Sequence, residues 1–384
     1  MFEDRLRQEL QELDQAGLRR RRRILASPCG PRAVIDGREL LAFASNDYLG
    51  LAADPTLAAA LAAGAGQWGA GSGASHLVSG HLAPHEDLER ELAAFLGFPR
   101  ALCFSTGYLA NLALVPTLAG RGDAIFADRL NHASLIDAVQ LSRGDSHRYP
   151  HNDLSVLARQ LAASPARTKL IVTDAVFSMD GDLAPLAALL QLAEQHDAWL
   201  LIDDAHGFGV LGAQGRGSLD HLGLGASPRI LLMGTLGKAA GVAGAFIAGS
   251  ELAIDYLLQK ARSYIFTTAA PPALAVALTQ SLKQIAAGEA LRARLQAHIR
   301  QLQQGLAGLP WQLLPSPTAI QPLIVGDNHA ALALSEALLQ RGIWVPAIRP
   351  PTVAKGTARL RISLSAAHSA TDLEQLIDAL RALA

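Results

Sequence analysis

Cysteine is scarce in this chain. Only Cys29 and Cys103 occur in 384 residues, far apart and without metal-ligand or redox spacing. A reduced, cytoplasmic setting is the expectation. Net charge is nearly absent as well: 33 Lys and Arg against 34 Asp and Glu leave -1 at pH 7. No global field therefore favours nucleic acid or an anionic membrane. No unbroken apolar run approaches the roughly 18 residues of a membrane helix, and the alanine-rich stretch 57–63 runs into Gly64 and Gly66. The chain opens Met1-Phe2-Glu3-Asp4-Arg5-Leu6, with charges where a secretory signal needs an apolar core. Internal repeats and low-complexity linkers are missing too.

What is present is an ordered globular composition, half hydrophobic and 17% charged, at a length that predicts one to three domains. Residues 1–23 read as an amphipathic helix, with Leu6, Leu10, Leu13 and Leu18 near one stripe, broken by Pro28, Gly30 and Pro31. A hairpin is expected over 34–43 around Asp36-Gly37. Asp54-Pro55 marks a helix start, and 85–96 a helix stopped by Gly97. From residue 100, apolar strands at 101–105, 124–127, 169–173, 198–203, 229–233 and 244–248 alternate with helical stretches such as 186–196. This alternation predicts an α/β fold with an open, mostly parallel sheet and helices on both faces. One long helix is expected over 272–306, then strands at 319–325 and 359–364 with a helix over 330–341 between them. A last helix opens on the capping box Thr371-Asp372-Leu373-Glu374. The expected organisation is an N-terminal helix and hairpin segment (1–50), a large domain (51–275) and a smaller α+β domain (276–384).

Arg19 to Arg23 are five consecutive arginines. At the end of the first helix they would form a solvated cationic face; alternatively, one of them faces an anionic substrate. Glu9, Glu12 and Asp14 argue against a nucleic-acid arm.

In open parallel sheets, ligands bind at the carboxyl ends of the strands. After 229–233 comes Gly234-Thr235-Leu236-Gly237-Lys238-Ala239-Ala240-Gly241. Lys238 reads either as a surface lysine in a Gly-rich loop or as the amine that holds pyridoxal 5′-phosphate (PLP), with Thr235 offering a hydroxyl to the phosphate. After 198–203, Asp203-Asp204-Ala205-His206 places two carboxylates and an imidazole at the end of an apolar strand. A buried Asp there needs a cation or donors. A protonated pyridine nitrogen would be such a cation, with His206 reaching the ring's phenolic oxygen. A metal held by the Asp and His residues, or a structural Asp–His contact, are the alternatives. Ser105-Thr106-Gly107-Tyr108 turns from a strand into a helix whose N-terminus suits a phosphate or is simply capped. His132, after 124–127, could stack on an aromatic cofactor or serve as a capping residue. Ser178, after 169–173, adds a hydroxyl at the same edge. Polar clusters at five strand ends, one holding a lysine, argue for a site.

Three segments carry a resemblance: Ser45-Asn46-Asp47-Tyr48-Leu49-Gly50-Leu51, Asp203-Asp204-Ala205-His206-Gly207 and Thr235-Leu236-Gly237-Lys238. Over nearly its whole length the chain resembles the α-oxoamine synthases, a branch of the fold-type-I PLP-dependent transferases (aspartate aminotransferase-like). The resemblance implies PLP as cofactor and a homodimer with its active site between subunits. Carried over, Lys238 resembles the Schiff-base lysine, Asp203 the pyridine-nitrogen partner, and His206 and Ser178 contacts to the ring oxygen. His132 resembles the stacking histidine, and Gly107 and Tyr108 a backbone-plus-aromatic contact. Thr235 resembles a phosphate ligand, joined by Thr267 and Thr268 from the other subunit. Arg361 resembles the carboxylate-binding arginine and Thr352 an acyl-substrate contact, with Arg19 or Arg20 as the N-terminal substrate arginine.

Residues 71–80, 321–328 and 348–353 resemble the branch member that joins L-alanine to a pimeloyl thioester, carried by CoA or acyl-carrier protein, in biotin biosynthesis. The implied reaction is a decarboxylative acyl transfer. A sister enzyme using glycine and a short acyl-CoA, an aminotransferase of the same fold, and a non-catalytic partner subunit are the other readings.

Overall fold

The computed structural model describes residues 2–384. They form two compact units. One is Leu51–Phe177 with Leu183–Arg292; the other joins the chain up to Gly50, Ser178–Asp182 and Ala293–Ala384. In chain order, strands β1 (Arg32–Ile35) and β2 (Arg38–Ala42) come first. β3 (Arg100–Phe104), β4 (Ala124–Asp128), β5 (Asp145–Tyr149) and β6 (Lys169–Asp174) follow. Next are β7 (Trp199–Asp203), β8 (Ile230–Thr235) and β9 (Ala245–Gly249). The last are β10 (Gln312–Leu313), β11 (Ile320–Gly326), β12 (Ile343–Trp344), β13 (Ala347–Ile348) and β14 (Ala358–Ser363).

The larger unit is built on a seven-stranded sheet in the order β3-β9-β8-β7-β6-β4-β5. All strands run parallel except β9, which is antiparallel to both β3 and β8. Strands covered on both faces need continuous apolar runs, and Leu200, Leu201, Ile202, Ile230 and Leu231 are all fully buried. The six strands expected from the sequence are all present. The sequence missed β5, Asp-Ser-His-Arg-Tyr, in which only Tyr149 is buried. It pairs with β4 alone, and a polar edge strand has no apolar run to betray it.

Local signals set the helix ends. The Asp54 carboxylate accepts the amides of Thr56 and Leu57 and so opens the helix Pro55–Trp68. The helix Ala83–Leu96 stops at Gly97, in the left-handed region at φ 74°. The single helix expected over 272–306 is two, Pro272–Ala287 and Glu289–Gly305, parted at Gly288. Glycine is a poor helix former, and there the Arg292 guanidinium bonds the Ile285 carbonyl at 2.6 Å.

In the smaller unit, β1 and β2 form the expected hairpin. Asp36 and Gly37 both take positive φ, 49° and 80°, which a tight right-twisted turn requires. β12 extends this sheet parallel to β2. A second sheet has the order β10-β11-β14-β13. The N-terminal helix is shorter than expected: it spans Phe2–Gln15 and is followed by Gly17 at φ 64°. The arginine run 19–23 therefore lies outside any helix, and Leu6, Leu10 and Leu13 stay exposed. The last helix, Ala370–Arg381, is capped two residues earlier than expected, because Ser369 and Asp372 share the same box spacing and bond reciprocally. Of the leucines and isoleucine expected to be buried on it, Leu373, Leu376, Ile377 and Leu380 are, whereas Leu383 lies past the helix end and is only half-buried. Among the described residues, no helix is long and apolar enough to cross a membrane.

Candidate active site

In the larger unit, Asp128, Asp174, Asp203 and Thr235 are the last residues of β4, β6, β7 and β8. Asp174 and Asp203 are register partners. Both are buried, so two carboxylates meet where water is scarce. One Asp203 oxygen accepts the Ala205 amide at 3.0 Å, the other Asn111 Nδ2 at 2.8 Å. Asp174 accepts the His132 amide at 2.7 Å. Burial, and then the Asp203 charge, push the Asp174 carboxyl well above the usual carboxylate range. Such a pair is stabilised by a nearby cation.

That cation is at hand. Lys238 sits in the turn from β8 to β9, and its Nζ lies 2.9 Å from His206 Nε2. Gly241 holds the turn close to the chain: at φ 71°, a Cβ there would meet the Leu51 carbonyl carbon at 2.6 Å. Thr235 Oγ1 donates to the Gly244 carbonyl at 3.1 Å and accepts the Gly237 amide at 3.4 Å. Asp204 points elsewhere. It accepts the amide and hydroxyl of Ser218, and burial lifts it to about 7. This removes Asp204 from the Asp-Asp-His metal arrangement considered from the sequence.

His132 caps the helix Ala133–Ser142, with Nδ1 2.8 Å from Ser134 Oγ. Burial lowers its pKa, so the imidazole is neutral near pH 7. Gly107 begins the helix Gly107–Leu118, whose cap Thr106 accepts the Leu109 amide at 3.2 Å. The first amides of a helix have no partner within it. A Cβ at Gly107 would lie 4.0 Å from Thr235 Cβ, so the two residues adjoin. Tyr108 is exposed, and its hydroxyl donates to Asp137. Thr268 bridges Ser75, and Thr267 precedes it.

The remaining candidates belong to the smaller unit. Arg361, on β14, is 6% exposed. Its Nε donates to the Ser178 carbonyl at 2.6 Å, and one terminal nitrogen to Asn46 Oδ1 at 3.1 Å and Ser363 Oγ at 2.7 Å. Tyr48 donates to the same Asn46 oxygen at 3.1 Å. Arg20 reaches Thr352 Oγ1 at 3.5 Å, whereas Arg19 is paired with Asp14 at 2.8 Å. Burial, and then the Arg20 charge, lower the pKa of Arg349, whose Nε is buried without a partner. Arg349 also lines a cavity of about 630 Å³ together with Arg21 and Arg22.

The sequence placed Asp174 at a strand end and Asn46 and Asn111 within the segments singled out, but gave none of the three a role. Asn111 had one signal, a poor helix former in the middle of an otherwise apolar helix. The residues of the larger unit fit a planar cationic cofactor bearing a phosphate. Asp203 is a buried carboxylate already held by donors, Lys238 an amine, and His132 a neutral ring; Thr235 and the helix start at Gly107 offer phosphate donors.

Among the described residues, histidine and carboxylate ligand atoms converge only elsewhere in this unit, at His76, His81, His85, Glu86 and Glu89. Both His85 nitrogens are spent on the main chain: Leu82 N–H donates to one at 3.0 Å and the Ala270 carbonyl accepts from the other at 2.8 Å. His76 and His81 share a hydrogen across 2.8 Å.

A family model for aminotransferase class I and II matches residues 38–380. The 8-amino-7-oxononanoate synthase of Dechloromonas aromatica (strain RCB) is 70% identical, over 100% of both chains. That of Herminiimonas arsenicoxydans is 64% identical at the same coverage. A serine palmitoyltransferase from S. paucimobilis, solved with bound PLP, superposes with a TM-score of 0.93 at 31% identity, covering 99% of this chain and 96% of its own. The 8-amino-7-oxononanoate synthase of Francisella tularensis superposes with a TM-score of 0.78 at 32% identity, covering 90% of this chain and 97% of its own.

Proposed function

The chain belongs to the aminotransferase class I and II family and stands among its 8-amino-7-oxononanoate synthases, and on that premise we infer that it joins L-alanine to a pimeloyl thioester. The products are 8-amino-7-oxononanoate, CO2 and the free thiol, a step of biotin synthesis. The fold is that of the fold-type-I PLP-dependent transferases. When bound, PLP supplies an electron-accepting ring that eases loss of the Cα proton and then of the carboxylate.

The observation that carries this reading is the Lys238–His206 contact of 2.9 Å, one strand end from buried Asp203. Lys238 is the residue whose amine would hold the cofactor. A neutral Lys238 amine can donate one hydrogen to His206 Nε2 while its lone pair takes the Cα proton. Asp203, kept in place by Ala205 and Asn111, would hold a proton on the ring nitrogen. His132 would face the ring as a neutral imidazole. His206 and Ser178 serve the ring oxygen, Gly107 and Tyr108 line the cofactor, and Thr235 binds the phosphate. Thr267 and Thr268 add to the phosphate site across a homodimer interface.

Arg361 receives the alanine carboxylate through its second terminal nitrogen, whose hydrogens are not spent on Ser178, Asn46 or Ser363. Its orientation is already fixed by Asn46, Ser178 and Ser363. Thr352 and Arg20 receive the acyl substrate. Arg20 is preferred over Arg19 because Arg19 is neutralised by Asp14. The mutual repulsion of Arg20 and Arg349 favours an anion beside them, and a pimeloyl group carries a free carboxylate. The enzyme works in the cytoplasm, which suits its two unpaired cysteines.

The test mixes pure protein, PLP, L-alanine and pimeloyl-CoA, and follows thiol release and product mass. Product should form with alanine and far more slowly with glycine and acetyl-CoA. Amino-group transfer without a thioester would replace this reading by an aminotransferase. Comparing pimeloyl-CoA with the pimeloyl-acyl-carrier protein settles the carrier.

A further inference from the structure

Asn111 and Ser134 have no assigned role, yet they join Asp203 to His132. Both are buried, Asn111 at 0% and Ser134 at 1% exposure. Asn111 Nδ2 lies 2.8 Å from Asp203 Oδ2 and 2.8 Å from Ser134 Oγ. Ser134 Oγ in turn lies 2.8 Å from His132 Nδ1.

The hydrogens in this chain run one way. Turning the Asn111 amide over would set its oxygen against a carboxylate oxygen, two acceptors with no hydrogen between them. The NH2 therefore faces Asp203, and its second hydrogen goes to Ser134. This leaves Asn111 Oδ1 buried without a partner, a cost the carboxylate bond offsets. Ser134 Oγ is thus an acceptor from Asn111, and its own hydrogen points to His132 Nδ1. The Ser134 amide also donates to that nitrogen, at 3.3 Å. Were Nδ1 protonated instead, the buried Ser134 hydroxyl hydrogen and amide would both lose their acceptor. The neutral imidazole must then carry its hydrogen on Nε2.

We propose that Asn111 and Ser134 are positioning residues that lock the Asp203 carboxylate and hold His132 in the Nε2–H form. The proposal rests on the reading of Asp203 and His132 as cofactor-facing groups. It adds that these two act as one unit: whatever loosens the Asp203 carboxylate also frees the His132 ring. The one hydrogen His132 can then offer a ligand is on Nε2. The lowered His132 pKa accords with this, since an imidazolium would break the chain.

The test begins without cofactor. Histidine-specific 15N labelling of the apoprotein, with His132 assigned by its absence in His132→Asn, reads the tautomer directly by long-range proton–nitrogen correlation. Wild type should show Nε2–H. Ser134→Ala deletes the hydroxyl donor but keeps the backbone amide, so it should shift His132 from Nε2–H to a mixture with Nδ1–H. In the holoenzyme, kcat should fall roughly 10- to 100-fold with little change in KM for alanine. Ser134→Thr, which keeps the hydroxyl, should restore both. Asn111→Leu leaves the Ser134 hydroxyl in place but no longer fixed, so it should move the tautomer the same way by less; if it fails to fold, the Ser134 pair still decides. An Nδ1–H wild type, or a tautomer unmoved in Ser134→Ala, overturns the network. A shifted tautomer with unchanged kcat overturns the positioning role. Failure of the functional reading would be seen separately, as wild-type enzyme that makes no product.

Discussion

The Lys238 amine and the His206 imidazole stand 2.9 Å apart although 32 positions separate them in the chain. The two residues end different strand-to-loop turns, and the parallel pairing of β7 with β8 brings those turns together. A lysine held this way is a nucleophile with its neighbour already in place. Lys238→Ala should cut turnover by roughly 10⁴-fold or more. It should also abolish the visible absorbance of covalently held PLP. Both are read on purified protein, and a retained absorbance band would remove Lys238 from its role.

Asp203→Asn keeps the shape of the side chain and deletes its charge. PLP should remain bound, while kcat falls about 10²- to 10³-fold. Steady-state kinetics beside a cofactor-content measurement checks this, and a near-normal rate would mean that the ring nitrogen has another partner.

Arg361→Lys replaces a forked donor with a point charge. KM for L-alanine should rise roughly 10- to 100-fold, as expected for lost bonds to a charged group. Asn46→Ala should move KM the same way by less, because Asn46 only orients the guanidinium. An alanine KM unmoved in both variants would place carboxylate binding elsewhere.

Arg20→Ala and Arg19→Ala should part company. Arg20→Ala should raise KM for the pimeloyl thioester about tenfold or more. Arg19→Ala removes an exposed pair with Asp14 and should change it less than about twofold. The reverse ranking would reassign the substrate arginine.

Glu89 supplies a pH signature outside the site. Its buried carboxyl is lifted from 4.5 to about 8, chiefly by burial. Between those values the folded chain keeps a proton that the unfolded chain releases. Its contribution is therefore complete below about pH 4.5 and is lost as pH rises through about 8. Glu89→Gln cannot titrate, and it still accepts the Cys103 amide. Thermal unfolding of the variant should depend less on pH over this window, by up to about 5 kcal/mol. A variant whose Tm tracks wild type across the window would show that Glu89 is ionised in the folded state.

The large sheet was legible in the sequence because strands such as β7 and β8 are unbroken apolar runs with polar residues directly after them. That pattern located Lys238, Asp203 and Thr235 without any coordinates. The edge strand β5 was illegible because one face of its pairing is open and its residues are polar. The N-terminal helix was overextended for the opposite reason: leucine spacing continued past the point where Gly17 turns the chain left-handed. Asn111 and Asn46 escaped because their importance lies in what they orient. A buried asparagine bonded to a distant carboxylate leaves no periodic trace along the chain. The capping box at Ser369 was displaced by two residues because two overlapping stretches satisfy the same spacing, and only the burial of the helix chooses between them.

The smaller unit's three-piece construction has a consequence for biosynthesis. Strand β2 meets its parallel neighbour at Leu41 and Ile343, so some 300 residues must be made between them. At roughly 5 to 20 residues per second, the first fifty residues wait on the order of 15 to 60 s after leaving the ribosome. During that interval Ile35, Leu40 and Phe43, all buried in the finished protein, have no core to enter. The continuous stretch 51–177 can begin to fold meanwhile. A chain that stops short of residue 343 should therefore carry an open, apolar hairpin at its N-terminus, the surface that chaperones hold and proteases cut first.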